Sequence, residues 1–162
     1  MEESDFDVVA DTCMALRSRM VARKITRVYD QALVPCGLKV TQFTLLVSIA
    51  QAGRQSISEL ADLLAMERTT LSRNLKLLAQ RGLIELDDTD KGRTRHVAIT
   101  AQGRSMIGKA LPYWRKAQKS IADDLGDNGF ADSLRGLNRL IVKVGAHEPS
   151  NGAPTAATPP AE

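Results

Sequence analysis

The sequence predicts a mainly α-helical chain carrying one small β-hairpin. Three observations lead there: apolar residues recur at three- and four-residue spacing over most of the length, the pattern switches to alternation only between residues 83 and 99, and a helix-start signature stands just before the most basic stretch. At 162 residues the length suits one domain with short tails. Hydrophobic residues make up 43% and charged residues 25%, ordinary values that exclude global disorder.

From residue 6 to 33, Cys13, Leu16, Met20, Val21, Ile25, Val28 and Ala32 form one stripe, so a single long helix is expected, ending before Pro35 and Gly37. Thr41 is placed as the N-cap of a second helix bearing Phe43, Leu46, Val47 and Ala50, stopped by Gly53. Ser56-Ile-Ser-Glu59 is a capping box opening a short helix with Ile57, Leu60, Ala61 and Leu64 on one face. After a break near Met66, a helix from about Thr69 to Gln80 buries Leu71, Leu75 and Leu78, and Gly82 ends it. Residues 83–86 and 95–99 then alternate as two strands of a hairpin joined by a polar turn. Thr100 caps a long helix to about Leu125, which Pro112 should kink, and a last helix starts at Asp127 or Asn128. Residues 147–162, rich in Pro, Ala and Thr, read as a disordered tail.

The formal charge of +3 is uninformative as a total. Its distribution is not. Residues 1–11 form an acidic segment with five acids and no base, whereas residues 68–81 and 91–104 hold eight Lys/Arg and no acid. Two such runs close together favour a polyanionic partner. Helix, short helix, helix and hairpin is the order of a winged helix-turn-helix, in which the second helix of the pair enters the major groove. With its leucines buried, that helix turns Thr69, Ser72, Arg73, Lys76 and Gln80 outward, and Thr70 and Asn74 flank that face. Arg suits guanine edges, Asn adenine edges, and hydroxyls suit phosphates or base edges. The hairpin tip offers Lys91, Arg93 and Arg95 to phosphates or a narrow minor groove.

Other classes fit poorly. No apolar run approaches the roughly 20 residues of a membrane span, so no membrane partner is expected. The acidic start does not read as a secretion signal. Two cysteines and two histidines build neither a zinc site nor a disulfide framework, which favours a reducing cytoplasm, without metal or cofactor. His96 and His147 have no plausible catalytic partner and no phosphate loop or nucleophile elbow is present, so catalysis is not expected.

Several motifs carry a resemblance. Ile57-Ser-Glu-Leu-Ala61, the run from Met66 to Lys76, Gln80-Arg-Gly-Leu-Ile84 and Val97-Ala-Ile-Thr-Ala-Gln-Gly103 resemble the MarR family of bacterial transcriptional regulators. Tyr29-Asp-Gln-Ala-Leu33 and the segment from Gly37 to Phe43 fit as well, and the resemblance covers roughly residues 12–145. It implies a MarR-type domain over residues 12–146: a winged helix at about 41–100 flanked by dimerisation helices at about 6–34 and 101–146. A first-helix stripe that outruns a small winged core agrees with a homodimer. The implied function is a repressor on a pseudo-palindromic operator, released by a small aromatic or phenolic ligand. Arg17, Met20, Arg23, Lys24 and Phe43 would then line the effector cleft. The resemblance puts Arg68, Thr69, Thr70, Ser72, Arg73, Asn74 and Lys76 at the recognition-helix positions and Arg93 at the wing arginine. Where many members carry Asp-Arg in the wing this chain has Lys91-Gly92, so Asp88 or Asp90 has to brace Arg93, or the wing is looser.

Two alternatives stand beside this reading. Oxidation-sensing relatives use a cysteine near the start of the first helix. Cys13 sits about two positions upstream of theirs, a rotation of roughly 200°; packing as a small hydrophobe is its simpler role. Cys36, in a turn, carries no assignment. The other alternative is a winged-helix module for protein partners, against which the acid-free helix face argues.

Overall fold

The computed structural model describes residues 3–87 and 96–145, with no side-chain description for residues 3–5, 127 and 145. Lys91, Arg93, Arg95, His147 and the Pro-rich tail lie outside the described residues. The chain divides into two compact units, residues 1–120 and 121–162.

Among the described residues, six α-helices and three short strands follow in order: α1 Glu3–Thr12, α2 Met14–Leu33, a 3-10 turn Val34–Cys36, α3 Val40–Ala52, β1 Gln55–Ser56, α4 Ile57–Leu63, α5 Arg68–Gln80, β2 Ile84–Leu86, β3 His96–Ile99 and α6 Ala101–Gly145. No single helix among the described residues is long and apolar enough to cross a membrane.

Several expectations hold in detail. Ser56 caps α4: its hydroxyl accepts from the Glu59 amide at 3.1 Å, and the Glu59 carboxylate accepts from the Ser56 amide at 2.9 Å. Gly82, at φ 69°, ends α5 in a left-handed conformation, with the Leu83 amide donating to the Leu78 carbonyl. Thr100 caps α6, its hydroxyl accepting from the Gly103 amide at 2.9 Å.

Others are corrected. The expected helix over residues 6–33 is two helices, broken where Cys13 adopts ψ 107°. Just ahead of the break, the Thr12 hydroxyl donates to the Val8 carbonyl four residues back, a bond that competes with the helical ladder and bends helices. Thr41 is not the cap of α3. The helix begins at Val40, whose amide donates to Asp30 Oδ1 at 2.7 Å, while Lys39 donates its amide to Gln42. The donors at the helix start are thus satisfied from α2 and from its own first turn. The hairpin is a three-stranded antiparallel sheet in the order β1-β3-β2, because residues 55–56 pair with Val97 and His96. A two-residue strand is too short to show alternation. The expected division after Leu125, by contrast, is present: the helical dihedrals run through Pro112, and within α6 the non-helical residue is Gly126, at φ 75° and ψ 173°. That backbone region is open to glycine and strained for any other residue.

The first unit contains the core. Leu45, Leu46 and Ile49 of α3, Leu60 of α4, Leu71, Leu75 and Leu78 of α5, Leu83 just before β2, and Ile84 and Val97 of the sheet are buried together with Leu33 and Ala110. Trp114 lies against Phe43 and stacks on Tyr29, with ring centroids 6.3 and 6.4 Å away. The Tyr29 hydroxyl bonds Gln118, and burial pushes the phenol's pKa up. Outside that core the α2 stripe is uncovered: Leu16, Met20, Val21 and Val28 are exposed. In the second unit Leu134, Leu137, Ile141 and Val144 are likewise exposed.

Two outcomes test this packing. A Cβ on Gly103 would sit 2.0 Å from the Leu83 carbonyl oxygen and 2.6 Å from Ile99 Cδ1. Gly103→Ala is therefore expected to cost about 2–3 kcal/mol, read as a lower midpoint in urea unfolding. Hydrogen bonds from the Ser56 amide and then its hydroxyl hold the Glu59 carboxyl below its usual range. The stability this provides is present above the ordinary glutamate pKa, about 4.3, and is lost as pH falls through the lower folded value. Glu59→Gln should flatten the acid limb of a stability–pH curve.

Candidate nucleic-acid interface

The helix-turn-helix pair is α4 and α5. Between them Ala65 takes a positive φ of 48° and the Met66 amide returns to the Ala61 carbonyl at 2.9 Å, which closes the turn. On α5, Leu71, Leu75 and Leu78 are at most 1% exposed, so the helix cannot roll without unburying leucine. The opposite face is fixed by the same packing. Arg68, Thr69, Thr70, Ser72, Arg73 and Lys76 are exposed on it and Asn74 is half-buried. No ion pair engages Arg68, Arg73 or Lys76 among the described residues. Asn74 is partly committed: its Nδ2 donates to the Thr70 carbonyl at 2.9 Å.

One cation of the basic stretch points elsewhere. Arg81, at the end of α5, donates to the Gly37 carbonyl at 2.8 Å and to the Cys36 carbonyl at 3.4 Å. Gln102 at the start of α6 donates to the Arg81 carbonyl at 3.2 Å, and the Thr100 hydroxyl donates to the Gly82 carbonyl at 2.7 Å. The C-terminus of α5 is thereby tied to two other segments of the unit, a role that charge counting along the chain does not reveal.

The remaining sequence-predicted residues are scattered. Arg17, Met20, Arg23 and Lys24 are exposed on α2, and Arg17 reaches back across the helix break to Asp11 at 3.7 Å. Phe43 is 3% exposed and closed off in the core beside Trp114, because its position on α3 faces inward with Leu46. None of these five lines either of two clefts in the first unit. One, about 440 Å³, lies among Pro35, Cys36, Met106, Lys109 and Tyr113; the other, about 450 Å³, among Val28, Gln31, Ala32, Pro35, Tyr113, Lys116, Ala117 and Ser120. Cys36 lies at a cleft wall, its thiol 3.8 Å from the Lys109 carbonyl. Cys13 is half-buried at the α1–α2 break. Among the described residues no cluster of three or more His, Cys, Asp or Glu could hold a metal ion.

Comparison with known proteins agrees with this architecture. A sequence profile of the MarR family matches residues 37–93. The crystal structure of the M. tuberculosis transcriptional regulator MosR is 33% identical, superposes with a TM-score of 0.71, and is aligned over 84% of this chain and 98% of that one. The chain belongs to the MarR family. Its winged helix-turn-helix is therefore that of a family of transcriptional regulators. MosR in complex with DNA is also similar, at 34% identity and a TM-score of 0.68 over 83% of this chain and 94% of that one. An uncharacterized HTH-type transcriptional regulator of Bacillus subtilis, YhbI, is 28% identical over 128 residues, covering 78% of this chain and 82% of that protein.

Arg81 offers a check on how this MarR-family helix is braced. Arg81→Ala removes charge-assisted donors from two backbone carbonyls, and a loss of about 1–3 kcal/mol in urea unfolding is expected.

Proposed function

We propose that this chain binds duplex DNA as a homodimeric repressor on a pseudo-palindromic operator, with α5 in the major groove. The observation that carries the reading is the α5 face: hydroxyl, amide and cationic groups, free of carboxylates, presented by a helix whose rotation three buried leucines determine. Arg68, Arg73 and Lys76 supply charge for phosphates and guanine edges, and Thr69, Thr70, Ser72 and Asn74 supply neutral contacts. Lys91, Arg93 and Arg95 extend the same charge into the wing. The similar MosR structure holds DNA, which supports the same partner here.

The exposed apolar residues of α2, and separately those of the second unit, support the homodimer, since exposed apolar side chains in such numbers mark protein contacts. Two copies bring two α5 helices, matching a two-fold operator with half-sites about one helical turn apart. For release, the clefts beside Pro35 and Tyr113 combine apolar walls with Lys109 and Lys116, a chemistry suited to a small aromatic carboxylate or phenol. The setting is the cytoplasm of a bacterium, where the chromosome is the DNA encountered.

The test uses a duplex enriched from a random library by the wild-type protein. Arg73→Ala and Lys76→Ala should each weaken binding about 5- to 100-fold while leaving the unfolding midpoint unchanged. The salt slope should be steeply negative, falling by about one for each phosphate contact removed. Wild-type affinity in both variants overturns the placement of α5.

A further inference from the structure

Strand β2 ends at Leu86 and β3 begins at His96, and Asp87 is the last described residue after β2. The Asp87 amide donates to the His96 carbonyl there at 3.0 Å. The Asp87 carboxylate has a more distant partner. Arg54, in the turn ahead of β1, donates its guanidinium to Asp87 Oδ2, and His96 Nδ1 lies 3.8 Å from the same oxygen. Because the strand order is β1-β3-β2, Arg54 just before β1 and Asp87 just after β2 flank the two outer strands, and their pair spans the central one beside His96. Gly53, at φ 72°, turns the chain just ahead of Arg54.

A pair this exposed adds little to folding stability, with the Arg54 side chain 65% and that of Asp87 34% exposed. What it constrains is direction, the course of the chain as it leaves β2. By the resemblance, Lys91-Gly92 stands where many relatives carry the acid that braces the wing arginine, which leaves that bracing to another acid or leaves the wing looser. We propose that Arg54 is a positioning residue for DNA binding. It clasps Asp87 across the sheet and so orients the wing from outside the wing. This rests on the DNA reading above and adds to it a residue that touches no base.

A competing role for Arg54 is direct contact with a phosphate, and the two roles predict opposite outcomes at Asp87. Removing an acid near a polyanion should tighten binding if Arg54 acts by contact. If Arg54 acts through Asp87, removing that acid should weaken binding. Affinity for the enriched duplex is measured for Arg54→Ala, Arg54→Lys, Asp87→Asn and the exchanged pair Arg54→Asp with Asp87→Arg, beside Arg73→Ala. Expected are equal losses of about three- to five-fold for Arg54→Ala and Asp87→Asn. Arg54→Lys should lose less, the exchanged pair should recover affinity, and the unfolding midpoint should not move. Asp87→Asn binding as tightly as wild type or tighter overturns the clasp, as does wild-type affinity in Arg54→Ala while Arg73→Ala is weakened. If Arg73→Ala also binds normally, the DNA reading itself falls and the clasp with it.

Discussion

Everything the α5 face can do depends on the burial of Leu71, Leu75 and Leu78 against the core of the first unit. Fully burying a leucine is worth about 1.5–3 kcal/mol, so the three together resist any rotation of the helix about its axis. Each 100° of roll would exchange a leucine for a polar or charged side chain in a close-packed interior. Rotation alone does not hold a helix still. Arg81, Gln102 and Thr100 tie its C-terminal end to the turn after α2 and to the start of α6. Rotation is thus fixed by apolar packing and position along the axis by polar ties, and Arg68, Arg73 and Lys76 have definite places as a result.

The same two kinds of force organise the rest of the first unit. Asp30 of α2 satisfies the first amide of α3 and pairs with Lys39 at 3.3 Å, while Tyr29, one residue earlier, stacks on Trp114 of α6. One short stretch of α2 thereby joins α3 and α6. In the remainder of that helix Ile25 is half-buried, and Leu16, Met20, Val21 and Val28 stay exposed, outside the core that this stretch helps to build.

Where a signal is periodic, the sequence is legible. The leucines of α5, the Ser56–Glu59 box, the Gly82 stop and the Thr100 cap all depend on residues within a few positions of one another. Features set by partners distant in the chain stay hidden. Arg81 reads as one more basic residue because the carbonyls of Cys36 and Gly37 lie more than forty positions away. Strand β1 escapes notice because two residues carry no alternation, and Arg54 gives no signal because its acid follows β2. Resemblance alone assigns Phe43 to a cleft, whereas its own position in the α3 pattern, in register with Leu46, puts it inside.

The bond from Asn74 Nδ2 to the Thr70 carbonyl has an entropic consequence. A side-chain amide carries two N–H groups and an oxygen, so this bond uses one donor and leaves the other donor and the oxygen open. It also holds the amide in one orientation before any partner arrives. Immobilising a flexible polar side chain on binding costs about 0.5–1.5 kcal/mol. An internal hydrogen bond within one turn of helix does part of that ordering during folding.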